Sequence, residues 1–182
     1  MRAIILRHGN TFTAEEPARR IGARTDLALV SSGRAQARAL SAHFAGVRFG
    51  RVLTSPSTRT RETAAIVAPD MVAEATPWLA EIDHGPDEGQ VETAVVARIG
   101  TAALIAWEEK AVPPPGWIVD AAMRTAAWRG FFAGACGTVL LVTSNGAAQF
   151  ARIALGYAPA KLRTGAYGEI VDGRIVAWDV RP

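Results

Sequence analysis

The stretch Thr138–Thr143, TVLLVT, is an unbroken run of apolar and β-branched residues. It reads as a central strand, because a strand covered on both faces is apolar throughout rather than alternating. A small polar tip follows at once, Thr143-Ser144-Asn145-Gly146, and then a stretch that winds into a helix through Leu155. A strand that ends in a polar, glycine-containing turn before a helix start is a common way of holding an anion.

The rest of the chain repeats that alternation. Ala3–Leu6 is an apolar strand. Ser32–Phe44 is a helix with its apolar face at Ala35, Ala39, Leu40 and Phe44, and with Ser31 or Ser32 as cap. Arg51–Thr54 is a short strand, and SPSTRTRETAAIVA opens with a capping serine, places Pro56 in the first turn and continues as helix. Val91–Trp107 and Asp120–Phe132 are predicted helices, the second capped by Asp120. Between them VPPPGW, Val112–Trp117, is a loop, since three successive prolines exclude helix and sheet interiors. GEIVDGRIVAWDV is a pair of strands turning at Asp172-Gly173. The predicted fold is α/β, a three-layer sandwich in which helices flank a mostly parallel central sheet with an antiparallel edge. The 182 residues are read as one domain, 1–182, with a small cap or insert at about 78–117. The tryptophans of that insert, Trp78, Trp107 and Trp117, serve either the core or a ligand platform.

Composition narrows the function classes. A content of 49% hydrophobic and 20% charged residues is that of an ordinary globular protein. No apolar run approaches the roughly 20 residues of a membrane helix, and MRAIILRHG is too short for a secretory signal, so no membrane association is expected. The single cysteine, Cys136, excludes an internal disulfide and points to a reducing, cytoplasmic setting. Beside Gly134 and Gly137 it reads as a packing residue. The net charge of +3 comes almost wholly from arginine, as Lys110 and Lys161 are the only lysines. The arginines are scattered rather than gathered in a basic stripe, which argues against a nucleic-acid partner. No histidine–carboxylate cluster has metal-ligand spacing, and nothing in the pattern calls for a cofactor. No feature sets an oligomeric state.

In folds of this kind ligands bind beyond the carboxyl ends of the strands. The residues there are Arg7, His8 and Gly9 after the first strand, Ser55, Pro56 and Arg59 after the second, and Ser144, Asn145 and Gly146 after the Thr138 strand. Two arginines, a histidine and an asparagine around two helix starts suit a phosphate-sized anion. His8 adds chemistry, because a ring nitrogen is a nucleophile toward phosphorus and flanking arginines neutralise the transferring group.

The chain resembles the histidine phosphatase superfamily, which includes the cofactor-dependent phosphoglycerate mutases. LRHGNT is similar to that family's opening Arg-His-Gly motif, and GARTDLALVSSGRAQA (Gly22–Ala37) to its glycine-aspartate-leucine-glycine-glutamine segment. TSPSTRTRETA matches its Ser-Pro-x-x-Arg helix start, and LAEIDHGPDEG its acidic loop. The motifs run in family order and cover most of the chain. The resemblance implies that His8 takes the phosphoryl group as phosphohistidine, that Arg7 and Arg59 clamp its oxygens, and that Glu81 is the general acid and base. Glu88, the second acidic position, is read as structural. Arg19 and Arg20 fall where the family approaches its substrate phosphate, Asn10 beside the first motif, and His84 three residues after Glu81, so these four are candidate substrate contacts. His43 lies within the first helix, on or near the surface.

At position 145 the family's Ser-His-Gly turn carries a second histidine, and here it is Asn145, with Gly146 supplying a backbone donor. An amide donates without a positive charge. A charged donor contributes roughly 1.5–3 kcal/mol against about 1 for a neutral one, so the expected loss is about tenfold in rate. The chain is also shorter than the mutases, and Ile82 stands after Glu81 where they place an arginine. The expected function is therefore hydrolysis of a small phosphorylated substrate, with inorganic phosphate as the minimal ligand. A weakened phosphate binder or regulator, or altered chemistry on the same scaffold, is the alternative that Asn145 raises.

Overall fold

A computed structural model describes residues 1–182. Six strands form one sheet: β1 (Arg2–Arg7), β2 (Arg51–Thr54), β3 (Glu74–Ala75), β4 (Thr138–Thr143), β5 (Tyr167–Val171) and β6 (Arg174–Val180). Their spatial order is β3-β2-β4-β1-β5-β6. The first four are mutually parallel, and β5 and β6 complete an antiparallel edge.

The uniform apolarity of the central strands has the expected cause. Alternate residues enter opposite cores, with Ala3, Ile5, Leu53, Val139 and Leu141 on one face and Ile4, Leu6, Val52, Leu140 and Val142 on the other. The second face is covered by α1 (Ser31–His43) and α2 (Thr58–Val67) through Leu40, Ala64 and Val67. The first is covered by α5 (Ala121–Gly134) and α6 (Asn145–Ala154) through Trp128, Phe150 and Ala151. Adjacent parallel strands β1 and β4 thus send their chains to opposite faces. Their carboxyl ends open a crevice between the two departures, which is where open α/β sheets bind ligands.

Residues 78–117 supply Leu79, Ile82, Val95, Leu104, Trp107 and Trp117 to the larger core. The tryptophans pack into the core, Trp107 meeting Trp117 with centroids 5.7 Å apart and Trp78 meeting Trp128 at 4.9 Å, while Trp107 also borders a surface cavity. The helix expected over Val91–Trp107 is two helices, α3 (Glu92–Ile99) and α4 (Thr101–Lys110), which break at Gly100 with φ 78°. Neither Ser31 nor Ser32 caps α1; the cap position is Val30, with no side-chain bond. Pro56 precedes α2 instead of sitting in its first turn, so the expected capping serine, Ser55, lies outside the cap position, which Ser57 occupies without a capping bond. Asp26 does that work from a distant loop, accepting the Thr58 N–H and hydroxyl at 2.7 Å each. Asp120 caps α5 as expected, accepting from the Met123 N–H, and Asp172 and Gly173 form the β5–β6 turn, both at positive φ. Cys136 is exposed rather than packed, because the turn before β4 lies outside both cores. No helix is long and apolar enough to cross a membrane.

The turn after β1 is fixed by close approach to α1. A Cβ on Gly33, in the first turn of α1, would sit 2.1 Å from the Asn10 carbonyl oxygen and 2.7 Å from its nitrogen. Helix propensity alone favours alanine over glycine by about 1 kcal/mol, but overpacking against backbone costs typically 1–3 kcal/mol. Gly33→Ala is therefore expected to lower the urea midpoint, and a raised midpoint would show that the two backbones separate freely.

Candidate active site

His8 extends the β1–β4 ladder by one residue, its N–H donating to the Thr143 carbonyl at 3.1 Å. The next residues are tied on all sides. The Gly9 N–H reaches Thr63 Oγ1 at 3.2 Å and the Asn10 N–H reaches Gln36 Oε1 at 2.8 Å. The Asn10 side chain accepts from Thr164 Oγ1 at 2.6 Å and donates to Ser32 Oγ at 3.4 Å. The imidazole of His8 is buried, and its Nδ1 lies 2.8 Å from the Gly9 carbonyl oxygen. A carbonyl only accepts, so Nδ1 carries the hydrogen and the lone pair is on Nε2. Burial holds the His8 pKa well below its ordinary 6.5, and the charges of Arg7 and Arg59 push the same way. The ring is neutral, with the Nε2 lone pair unprotonated.

Both flanking guanidinium groups are anchored by backbone carbonyls. Arg7 Nη1 donates to Leu162 O at 3.0 Å. Arg59 is 1% exposed and donates to Thr25 O at 2.8 Å and Gly22 O at 3.2 Å. Burial lowers the pKa of each arginine, and the nearby Glu81 carboxylate opposes that shift in both.

Glu81 stands across from His8, buried, at the N-terminus of α6. Its Oε2 accepts the Gly146 N–H at 3.1 Å and its Oε1 accepts the Ile82 N–H at 2.9 Å. The amide of Gly146, expected to face a bound anion, is thus committed to Glu81. A Cβ at position 146 would meet Glu81 Oε1 at 2.3 Å, so the approach needs glycine. Arg124 holds the strand of chain behind Glu81, donating to Ala80 O at 2.7 Å, Glu81 O at 3.3 Å and Val119 O at 2.7 Å. Thr143 Oγ1 adds a bond to Leu79 O at 2.6 Å.

Asn145 is oriented by a single contact: Oδ1 accepts the Leu162 N–H at 2.8 Å. The amide nitrogen is therefore on the other side of the group, and Asn145 lines a cavity of about 450 Å³ together with Arg7, Glu81 and Gly146. Arg19, Arg20 and His84 line the same cavity. An adjoining space of about 300 Å³ holds His8 and Asn10 and shares Arg7, Arg19 and Glu81. Arg59 lines a third, of about 240 Å³, which also ends on Glu81. All ten expected site residues thus border one of three spaces that converge on Glu81.

Several of the ten have structural commitments. Arg20 pairs with Glu92 and lies over the Trp117 ring at 5.4 Å, and Arg19 donates to Gly89 O at 3.0 Å. His84 packs edge-on against Trp117 at 4.5 Å, and its backbone N–H is held by Glu88 at 3.2 Å. Glu88 also accepts the Gly22 N–H at 2.8 Å, so it fixes the loop that Arg59 grips. Sequence reasoning missed Arg124 and Leu162, and also Lys161, Arg163, Thr164 and Arg181, which line the larger cavity from the β5–β6 side. Only tertiary packing brings them there, and no local motif marks them. No group of three or more His, Cys, Asp or Glu side chains is arranged to hold a metal.

Burial also depresses the His84 pKa, so the two buried histidines act together on stability. Where the folded pKa lies below the unfolded one, the unfolded chain binds more protons and stability falls as pH drops. The contribution is complete above about pH 6.5 and is lost between that value and the lower folded pKa. Denaturant titrations from pH 7.5 to 5 are expected to show that slope, and His8→Gln to reduce it; an unchanged slope would mean His8 titrates alike in both states.

The family model of the histidine phosphatase superfamily (branch 1) matches residues 3–168. No curated protein matches the chain. Among solved structures, a mycobacterial glucosyl-3-phosphoglycerate phosphatase superposes with a TM-score of 0.83 at 21% identity, over 100% of this chain and 99% of that one. Its complex with VO3 gives 0.82 at 22% identity, over 98% of each. A protein from Thermus thermophilus gives 0.74 at 27% identity, again over 98% of each.

Proposed function

The chain belongs to the histidine phosphatase superfamily, and from that membership we propose that it hydrolyses a phosphomonoester through a phosphohistidine on His8. The observation that carries the reading is the state of His8: neutral, its proton fixed on Nδ1 by Gly9, and set beside the charges of Arg7 and Arg59.

In the first half-reaction Nε2 attacks phosphorus and forms an N–P bond as the ester P–O bond breaks. The leaving oxygen takes a proton from the Glu81 carboxyl and departs as the alcohol. Arg7 and Arg59 offset the charge on the transferring oxygens, and the Asn145 amide nitrogen donates to one of them. In the second half-reaction the Glu81 carboxylate removes a proton from water, whose oxygen attacks phosphorus and releases His8 with inorganic phosphate. Glu81 borders both the His8 space and the larger cavity, a position from which it serves leaving group and water in turn. Asn10 acts by holding the His8 turn. Arg19, Arg20 and His84 line the side on which the leaving group sits, so they act on substrate choice rather than on the phosphorus.

The neutral amide of Asn145 favours a second reading, a phosphate-ligand binder that turns over slowly or not at all. Acid-labile phosphate on the wild-type protein and steady release from an aryl phosphate are expected, with both lost in His8→Ala. Label without release that depends on Glu81 would support the binder instead. Replacing Asn145 with histidine is expected to raise kcat/KM about tenfold through a stronger donor. An unchanged or lower rate would show the asparagine is matched to its own substrate.

A further inference from the structure

His84 is a buried histidine that the two half-reactions leave unused. Its ring is fixed on two sides. One edge meets Trp117 at 4.5 Å between centroids. On the other side Nδ1 is closed off from solvent and lies 3.6 Å from Glu88 Oε2. Gly22 seals that side, since a Cβ there would sit 2.6 Å from Nδ1 and 2.4 Å from the Glu88 oxygen. Glu88 is itself held in place, accepting the backbone N–H groups of Gly22 and His84. A carboxylate only accepts, so Nδ1 carries the ring hydrogen and the lone pair belongs to Nε2. Burial and the charge of Arg20 lower the His84 pKa from its ordinary 6.5, with Glu81 and Glu88 opposing, and the ring is neutral.

The Nε2 atom makes no hydrogen bond within the protein and, unlike Nδ1, is not closed off from solvent. The cavity it borders is the one shared with Glu81, and that wall is rich in arginine and lysine. Such side chains donate and accept nothing. Water among them turns its lone pairs toward the cations, which is the wrong orientation for attack on phosphorus. To attack, the oxygen must keep a lone pair free, so its two hydrogens must be drawn to acceptors. Most side-chain acceptors on the wall are already engaged. Asn145 Oδ1 takes the Leu162 N–H, Glu92 pairs with Arg20, and Glu108 stands 3.9 Å from Lys161. Glu81 and the Nε2 of His84 remain.

From the clamped ring and its unpartnered acceptor, we infer that His84 is a second catalytic acceptor for the hydrolytic water, acting beside Glu81 in dephosphorylation. The inference rests on the hydrolase reading. Once the alcohol has left, water takes its place on the side opposite His8. One hydrogen points to Glu81 and the other to His84 Nε2, which directs a lone pair at phosphorus. As the new O–P bond forms, the N–P bond breaks and its electron pair returns to His8. The first hydrogen passes to the Glu81 carboxylate. The second stays on the oxygen and leaves with inorganic phosphate, so His84 gains no proton. An alcohol has a single hydroxyl hydrogen, which Glu81 takes, and it draws nothing from His84. The residue therefore biases the phosphoenzyme toward hydrolysis and away from transfer to alcohols.

The test labels the protein with para-nitrophenyl phosphate in water and in water–methanol mixtures, and measures inorganic phosphate against methyl phosphate. His84→Phe keeps a ring edge-on to Trp117 and lacks the acceptor. It is expected to form phosphohistidine within about threefold of the wild-type rate and to hydrolyse it about tenfold more slowly. The ratio of methyl phosphate to inorganic phosphate rises by about the same factor. His84→Gln places an amide oxygen at similar reach and brings that ratio back to within about threefold of wild type. His84→Leu repeats the effect of His84→Phe with a different apolar side chain. His43→Phe, on α1 and outside the three spaces, changes neither step. An unchanged ratio in His84→Phe and His84→Leu overturns the inference. So does a raised ratio that His84→Gln fails to restore, or an equal slowing of formation and hydrolysis. Absence of label on the wild-type protein overturns the hydrolase reading and this role with it, whereas label that decays alike in every variant overturns the role of His84 alone.

Discussion

Buried arginine is the constraint on which this end of the sheet depends. A guanidinium removed from water must find acceptors within the protein, because an uncompensated buried charge costs several kcal/mol. Here the acceptors are mainly backbone carbonyls. Arg59 takes Gly22 and Thr25, Arg7 takes Leu162, and Arg124 takes Ala80, Glu81 and Val119. Each arginine thereby dictates the path of a loop distant in sequence. Four segments outside the regular helices and strands are thereby tied together, and Glu81 is the carboxylate they surround. Neutral acceptors solvate the cations without cancelling them, which leaves a positive field at His8 that adds to the larger effect of burial in keeping its ring unprotonated.

The same logic explains which parts of the site were legible in sequence. The motif residues are those in which side chain and backbone meet across the fold. Gly33 admits the Asn10 backbone, Gln36 receives the Asn10 N–H, Asp26 caps α2, Thr63 receives the Gly9 N–H and Glu88 receives the Gly22 N–H. Their spacing is written in the chain because each has a fixed partner, so the resemblance located His8, Arg7, Arg59 and Glu81 together. The alternating strands and helices were legible for a simpler reason, the burial of both sheet faces. The break at Gly100 and the cap at Val30 were not, since local helix signals run through both positions. Lys161, Arg163 and Arg181 carried no signal at all. Their meeting depends on tertiary packing between distant segments, which pattern and propensity do not encode.

Asn145 shows how such a frame orients an uncharged group. An amide side chain has two nearly equivalent ends and is easily reversed, so on its own it is a poor directional donor. The Leu162 N–H removes the ambiguity by claiming Oδ1, and only the nitrogen is left to turn elsewhere. The carbonyl of the same residue claims Arg7. Leu162 is itself fully buried in the larger core. One leucine thus sets the direction of two donors that approach the crevice from different elements, Arg7 at the end of β1 and Asn145 at the start of α6. A charged residue at 145 would be stronger but would add a further cation beside Arg7, Arg59 and Arg20, whose repulsions are already felt at Arg7. A neutral donor held in one orientation avoids that repulsion.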